Sequence, residues 1–201
     1  MARPKTLPDI EVLAAAHRLL HERGPDGLTF ASLARACGLS ASTLVQRFGS
    51  KDGLVQGALL HAWDRLDDKT AGLAAAVPRT PDGAVDMLLG LSQDYGGIET
   101  YADGLLILRE DLRDPILRAR GAAWKATLTA VLEDCFACTP GVPRGVGLLI
   151  ASQWQGSLLW WSFDPSVDVE RFVEDNLKRF VAAICTVGPA GGHRSLSSIG
   201  Q

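Results

Sequence analysis

Apolar residues recur at three- and four-residue intervals along most of the chain and almost nowhere alternate, so the pattern predicts helices and no sheet. Asp9 stands ready to cap a first helix whose apolar face holds Ile10, Leu13, Ala14, His17 and Leu20, and Glu22-Arg23-Gly24-Pro25 ends it. Asp26-Gly27 reads as a turn. Thr29, Ser40 and Ser50 each precede a periodic stretch, as N-caps do: Phe30–Cys37, Ala41–Phe48 and a long run from Lys51 to about Ala76. Pro78 and Pro81 break that run. Further helices are expected over Asp82–Tyr95, Glu99–Leu112, Asp114-Pro115 to about Cys138, Arg144–Phe163 and Asp168–Val187. The Gly- and Ser-rich stretch from Gly188 reads as a frayed tail.

Composition narrows the class without naming it. The 201 residues are 47% hydrophobic and 21% charged, enough for a real core and unlike a disordered chain. The longest apolar runs, such as Val146-Gly147-Leu148-Leu149-Ile150-Ala151, are too short to span a bilayer, so no membrane partner is expected. The first ten residues lack the apolar stretch of a signal peptide. Cys37, Cys135, Cys138 and Cys185 do not form a disulfide framework, and the Cys135/Cys138 pair has no second pair to complete a zinc site. Charge is more telling. Residues 1–51 hold seven Lys and Arg against four Asp and Glu, whereas the remainder holds 13 against 19, giving −3 overall. A basic end on an acidic body suits a polyanion confined to that end.

The stretch LTFASLARACGLSASTLVQRFGSK, residues 28–51, carries the functional signal. It reads as two short helices around a Gly38 turn, a helix-turn-helix that must close a core with neighbouring helices. Phe30, Leu33, Ala34, Cys37, Leu39, Leu44 and Phe48 fall on the inward side, to pack on Leu13, Leu20 and Leu54. Ala41, Ser42, Thr43, Gln46 and Arg47 stay outward on the second helix: short groups first, longer donors after, which suits a major groove.

Here the sequence resembles the TetR family of bacterial transcriptional regulators. The matching residues are Val12-Leu13-Ala14-Ala15-Ala16, Glu22-Arg23-Gly24, Leu28-Thr29, Leu33-Ala34, Cys37-Gly38-Leu39-Ser40, Thr43-Leu44, Phe48 and Ser50-Lys51. Gln155-Gly156 and Phe163-Asp164-Pro165 look like the family's penultimate helix and its exit. The resemblance implies an all-α protein with a three-helix helix-turn-helix DNA-binding head over residues 1–50. A ligand-binding and dimerisation body over 51–187 and a tail over 188–201 complete it. It implies a cytoplasmic, nucleoid-associated homodimer that represses from an inverted-repeat operator and is released by a small, largely apolar or aromatic effector, without a cofactor. Carried over by residue, Thr29, Ser40, Ala41, Ser42, Thr43, Gln46, Arg47 and Lys51 would meet DNA, with Thr29 and Lys51 on phosphates. Val45 stands where the family often places an aromatic, which removes one backbone contact.

In the body, Tyr95, Tyr101, Leu105, Arg109, Trp124, Trp154 and Trp161 are candidate pocket residues, although core packing predicts the same aromatic set. The run Arg144–Phe163 is apolar nearly all round and must be covered on two sides. Trp154 and Trp161 share one face, Leu149, Gly156 and Trp160 another. With Phe172, Leu177 and Phe180 of the last helix, the second face would make a four-helix dimer seam. No nucleophile elbow, P-loop or paired-histidine zinc motif is present, so no catalytic residue is expected. His17 and His21, one turn apart, read as ordinary helix residues rather than metal ligands. The alternatives are an activator on the same fold or a small-molecule carrier without specific DNA binding.

Overall fold

The computed structural model describes residues 7–93 and 96–186, which form helices and no strand. In chain order these are α1 (Asp9–Gly27), α2 (Phe30–Cys37), α3 (Ala41–Phe48), α4 (Lys51–Ala76), α5 (Pro81–Ser92), α6 (Ile98–Arg113), α7 (Pro115–Cys135), α8 (Val146–Trp161) and α9 (Val169–Thr186). The tail from Gly188, His193 and Tyr95 lie outside the described residues.

Local chemistry sets most helix starts. Thr29, Ser40, Ser50 and Thr80 each accept a backbone N–H with the side chain, filling one of the four donors a helix start leaves open. Asp114 does the same for α7, with Pro115 at its first position. The start of α8 is different. Its cap residue Gly145 has no capping side chain, and Glu133 from α7 accepts both the Gly145 N–H (2.9 Å) and the Gly147 N–H (2.7 Å). That is why α8 opens at Val146 rather than at Arg144.

Two expectations at the first helix change. Pro8, not Asp9, occupies the cap position, and Asp9 is free for another partner. The helix does break at Gly24, yet Pro25, Asp26 and Gly27 add a further helical turn where a plain turn was expected. The buried side of α1 holds Val12, Ala15, Ala16, Leu19 and Leu20, whereas Ile10 is 61% exposed.

Two apolar clusters organise the molecule. One joins α5, α7, α8 and α9 around Met87, Leu88, Leu132, Phe136, Ile150, Trp154, Leu158 and Leu177. The other joins α1, α2 and α3 to Leu54, Ala58 and Leu59 of α4, and it also takes in Ile107 of α6 and Leu117 of α7. Packing therefore runs across the expected 50/51 boundary. The head is seated on α6 and α7, with α4 passing from one cluster to the other.

Candidate nucleic-acid interface

The helix-turn-helix is built from its caps outward. Thr29 and Ser32 form a reciprocal capping box: Thr29 Oγ1 accepts the Ser32 N–H (3.0 Å), and Ser32 Oγ accepts the Thr29 N–H (2.9 Å). Ser32 Oγ also donates to the Gly27 carbonyl (3.0 Å), tying α2 to the end of α1. At the other end of α2, Gly38 adopts φ +66°, a left-handed conformation that a residue with a Cβ enters only at a cost. This reverses the chain within Gly38 and Leu39. All the apolar residues expected inward lie in this core, with Leu33 and Leu44 fully buried, Cys37 nearly so, and Phe30, Ala34, Leu39 and Phe48 partly buried.

What remains outside on α3 is short and polar. Ser40, Ala41, Ser42, Val45 and Gln46 are exposed, and Thr43 is half-buried. Ser40 Oγ accepts the Thr43 N–H (3.0 Å) and pairs with Ser42 Oγ (2.8 Å) and Thr43 Oγ1 (2.7 Å). Three hydroxyls are thus gathered at a helix N-terminus, where the dipole also favours an anion. Gln46 makes no side-chain hydrogen bond among the described residues, so its amide keeps both donors and acceptor for a partner.

Arg47 behaves otherwise. Its guanidinium donates to the Leu7 carbonyl (2.6 Å) and to Asp9 Oδ1 (3.3 Å), and its side chain is only 23% exposed. It pins the back of α3 to the start of α1. Lys51, at the first position of α4, lies 4.0 Å from Asp26 and remains substantially exposed. Thr29 is exposed at the mouth of α2 although its hydroxyl is engaged in the cap.

Residues 12–58 match the family of bacterial regulatory proteins called tetR. The head belongs to the TetR family. An HTH-type transcriptional regulator of Mycobacterium tuberculosis, AlkX, is 44% identical over 57 residues; that stretch is 28% of this chain and 27% of the relative. This chain therefore aligns with about a quarter of that relative's length. The likeness of fold extends further. A transcriptional regulator of Rhodococcus superposes with TM-score 0.71 at 18% identity, covering 89% of this chain and 96% of that one. AibR, solved in complex with isovaleryl coenzyme A and operator DNA, superposes with TM-score 0.61 at 20% identity, covering 84% and 95%. Over the part of the chain these structures cover, it thus has the all-α fold of TetR-family regulators, a helix-turn-helix head on a helical body.

The TetR-family head is fastened to the body along α4 by polar side chains. Gln56 donates to Asp114 (2.7 Å), Trp63 Nε1 to Asp111 (3.0 Å), and Arg120 of α7 to Asp64 (3.0 Å) and Asp67. Trp124 Nε1 donates to Thr70 (2.9 Å) near the far end. The Gln56 hydrogen bond is the main reason the Asp114 carboxyl lies below its ordinary range; Asp111 is pushed up, mainly by burial. None of these pairings was foreseen, because each joins residues dozens of positions apart.

The candidate pocket residues of the body do not converge on one space. Tyr101 meets Trp161 edge-to-face, with centroids 6.3 Å apart. Trp161 Nε1 donates to the Val167 carbonyl (2.8 Å), and Trp154 Nε1 donates to Ser92 (2.8 Å) inside the core. Trp124 packs against that core from one side and against Trp63 from the other, at 5.8 Å between centroids. Leu105 and Arg109 face outward from α6, and Arg109 pairs with Glu110 (3.4 Å).

The expected seam residues also divide. Leu149 and Trp160 are exposed, Trp160 by 70%, and a side chain at Gly156 would meet nothing within 4 Å. Phe172 and Phe180 lie partly buried against the body core. Leu177 requires correction. It is fully buried within its own chain, on the side of α9 turned towards the body core, so it is not presented to a partner. Phe163, which was not counted in the seam, is 76% exposed and rests 6.0 Å from the Trp160 ring. Its place three residues after Trp160 on one helical face was the available signal.

Among the described residues no three His, Cys, Asp or Glu side chains gather as a metal site. His17 and His21 meet each other edge-to-face at 4.6 Å between centroids. Cys135 is buried, its thiol pushed up by desolvation, and Cys138 is exposed. No described helix is long and apolar enough to cross a membrane.

Proposed function

We propose that the protein is a ligand-responsive repressor that binds an inverted-repeat operator as a homodimer. The observation that carries this reading is the outward face of α3, where Gln46 is unengaged beside the Ser40, Ser42 and Thr43 hydroxyls on a rigidly capped helix. In this reading Ala41, Ser42, Thr43 and Gln46 meet base edges in the major groove. Thr29 and Ser40 meet phosphates at helix N-termini, and Lys51 neutralises a further phosphate. Arg47, held by Leu7 and Asp9, sets the angle of α3 more than it reads a base. The exposed apolar stripe of α8, with Leu148, Leu149, Leu159 and Trp160 and continued by Phe163 in the turn after it, is the surface on which a second copy would pack.

A small, largely apolar effector would act by favouring an arrangement in which the two heads no longer match successive major grooves. The polar fastenings between α4 and α6–α7 support α4 as the element that carries such a change. Binding to fluorescently labelled operator tests the base-reading face. Gln46→Ala is expected to cost about 1–3 kcal/mol and relax preference at one base pair. Lys51→Ala is expected to weaken all sequences alike and lower the salt slope by about one. Wild-type affinity, preference and salt slope in both variants would remove α3 and Lys51 from the interface.

A further inference from the structure

A cleft of about 540 Å³ opens where α1 of the head, the middle of α4 and the first turn of α6 meet. Arg18 of α1 and Arg65 of α4 line it, and neither forms an ion pair or hydrogen bond among the described residues. Several other guanidinium groups do find partners inside the chain: Arg47 with Asp9, Arg109 with Glu110 and Arg120 with Asp64 and Asp67. Arg18 and Arg65 instead converge on histidine. His17 is pushed down to about 4, first by burial, then by His21, Arg65, His61 and Arg18. Two unpaired guanidinium groups beside a histidine held neutral leave room for an anion from outside.

The other charged groups around the cleft do not cancel this excess. Lys69 of α4, itself engaged with a partner, also lines it, and among the described residues Glu22 of α1 is the one lining carboxylate. Asp103 of α6 acts on His21, where it partly offsets a lowering caused by burial. Thr100, in the first turn of α6, also lines the cleft, and the cap residue of that helix, Gly97, offers no side chain. The open N-terminal end of α6 therefore adds favourable potential for an anion. Ala62 and Leu66 supply an apolar wall. The anion is not operator phosphate: Arg65 is 14 residues beyond Lys51, about 21 Å along α4.

We infer that this cleft binds a small organic carboxylate, with Arg18 and Arg65 on the carboxylate and Ala62 and Leu66 against its apolar body. Binding joins α1, α4 and α6 through one ligand. A carboxylate between the arginines would also offset part of the lowering that burial and the neighbouring cations impose on His17, so binding is expected to tighten as pH falls. As an effector site the cleft rests on the ligand-responsive reading above; as a binding site it stands alone.

Titration calorimetry of the full chain tests it, with octanoate as probe and octanol as its uncharged counterpart, at about pH 5.5 and about pH 8. Saturable octanoate binding is expected, tighter at the lower pH, with a heat that changes with buffer ionisation enthalpy. Octanol should not bind. Arg18→Gln and Arg65→Gln should each weaken octanoate about ten- to hundredfold, and Arg65→Lys less than Arg65→Gln. Absence of octanoate binding, equal binding of octanol, or unchanged binding in both Gln variants overturns the site. No DNA is present in this titration, so such a failure leaves the operator reading untouched. Octanoate binding to a protein that selects no operator would keep the site and remove its regulatory role.

Discussion

Arg47 lies on the helix proposed to face DNA, yet its charge is spent within the head. The pair with Asp9 is partly exposed and by itself is worth about 1 kcal/mol or less. Its larger consequence is geometric, since the bond to the Leu7 carbonyl fixes α3 against α1. Asp9→Asn and Arg47→Ala are therefore expected to weaken operator binding to similar extents, with the double variant little worse than either. Additive losses in a double-mutant cycle would instead place Arg47 directly on the DNA. Asp111 offers a second residue-scale test. Its carboxylate is 9% exposed and accepts from Trp63 Nε1, and burial raises its pKa. A folded state that holds this proton more tightly than the unfolded chain loses stability as pH rises through the carboxylate range. Asp111→Asn keeps an acceptor without the charge, so its thermal midpoint should match or exceed wild type near neutrality, with the gap closing in acid. Asp111→Ala leaves the indole N–H unpaired and should cost about 1–3 kcal/mol. A neutral-pH midpoint for Asp111→Asn as low as that of Asp111→Ala would show the charge itself to be required. Neither residue's role was legible in sequence, because Asp9 and Arg47 are 38 positions apart and Trp63 and Asp111 are 48.

At the scale of elements, legibility follows the range of the interaction. Helices begun by their own neighbouring side chain, at Ser40, Ser50 and Pro115, could be read in the sequence because a cap and its target lie within three residues. The start of α8 could not, since its cap is Glu133 from another helix. The inward face of the helix-turn-helix was readable from periodicity alone, and with it the outward place of Ala41, Ser42 and Gln46, but not that of Arg47, which turns in on Leu7 and Asp9. For α8 and α9 periodicity identified two faces without saying what each would meet, which is how Leu177 came to be expected at a seam and lies in the body core. The caps also carry a prediction. Ser40→Ala removes the bond to the Thr43 N–H and the anchor for the Ser42 and Thr43 hydroxyls. It is expected to lower stability in denaturant unfolding by about 1 kcal/mol. Operator affinity should fall as well, because the hydroxyl cluster loses its fixed geometry. Unchanged stability and affinity would mean that the cap is replaced by solvent at no cost.

For the whole molecule, a single chain leaves large apolar side chains exposed on α6 and, most of all, on α8. Trp160 and Phe163 are 70% and 76% exposed and adjacent, and Leu148, Leu149 and Leu159 continue the same side of α8. A second copy packed there would place two heads in a fixed relation, which two half-sites require. Trp160→Glu should convert the protein to a monomer in light scattering while leaving its helical spectrum unchanged, and should abolish operator binding at concentrations where wild type saturates. A dimer that survives this change would move the seam elsewhere. The central claim, a two-headed reader of DNA sequence, is tested most directly by selection from random duplexes at about 150 mM salt, where non-specific phosphate binding is weak. Purified protein, unfolded and refolded to strip any bound ligand, should enrich an inverted repeat whose half-sites lie about one helical turn apart, roughly 34 Å. Enrichment of no sequence, or of a single half-site without its repeat, would contradict the account.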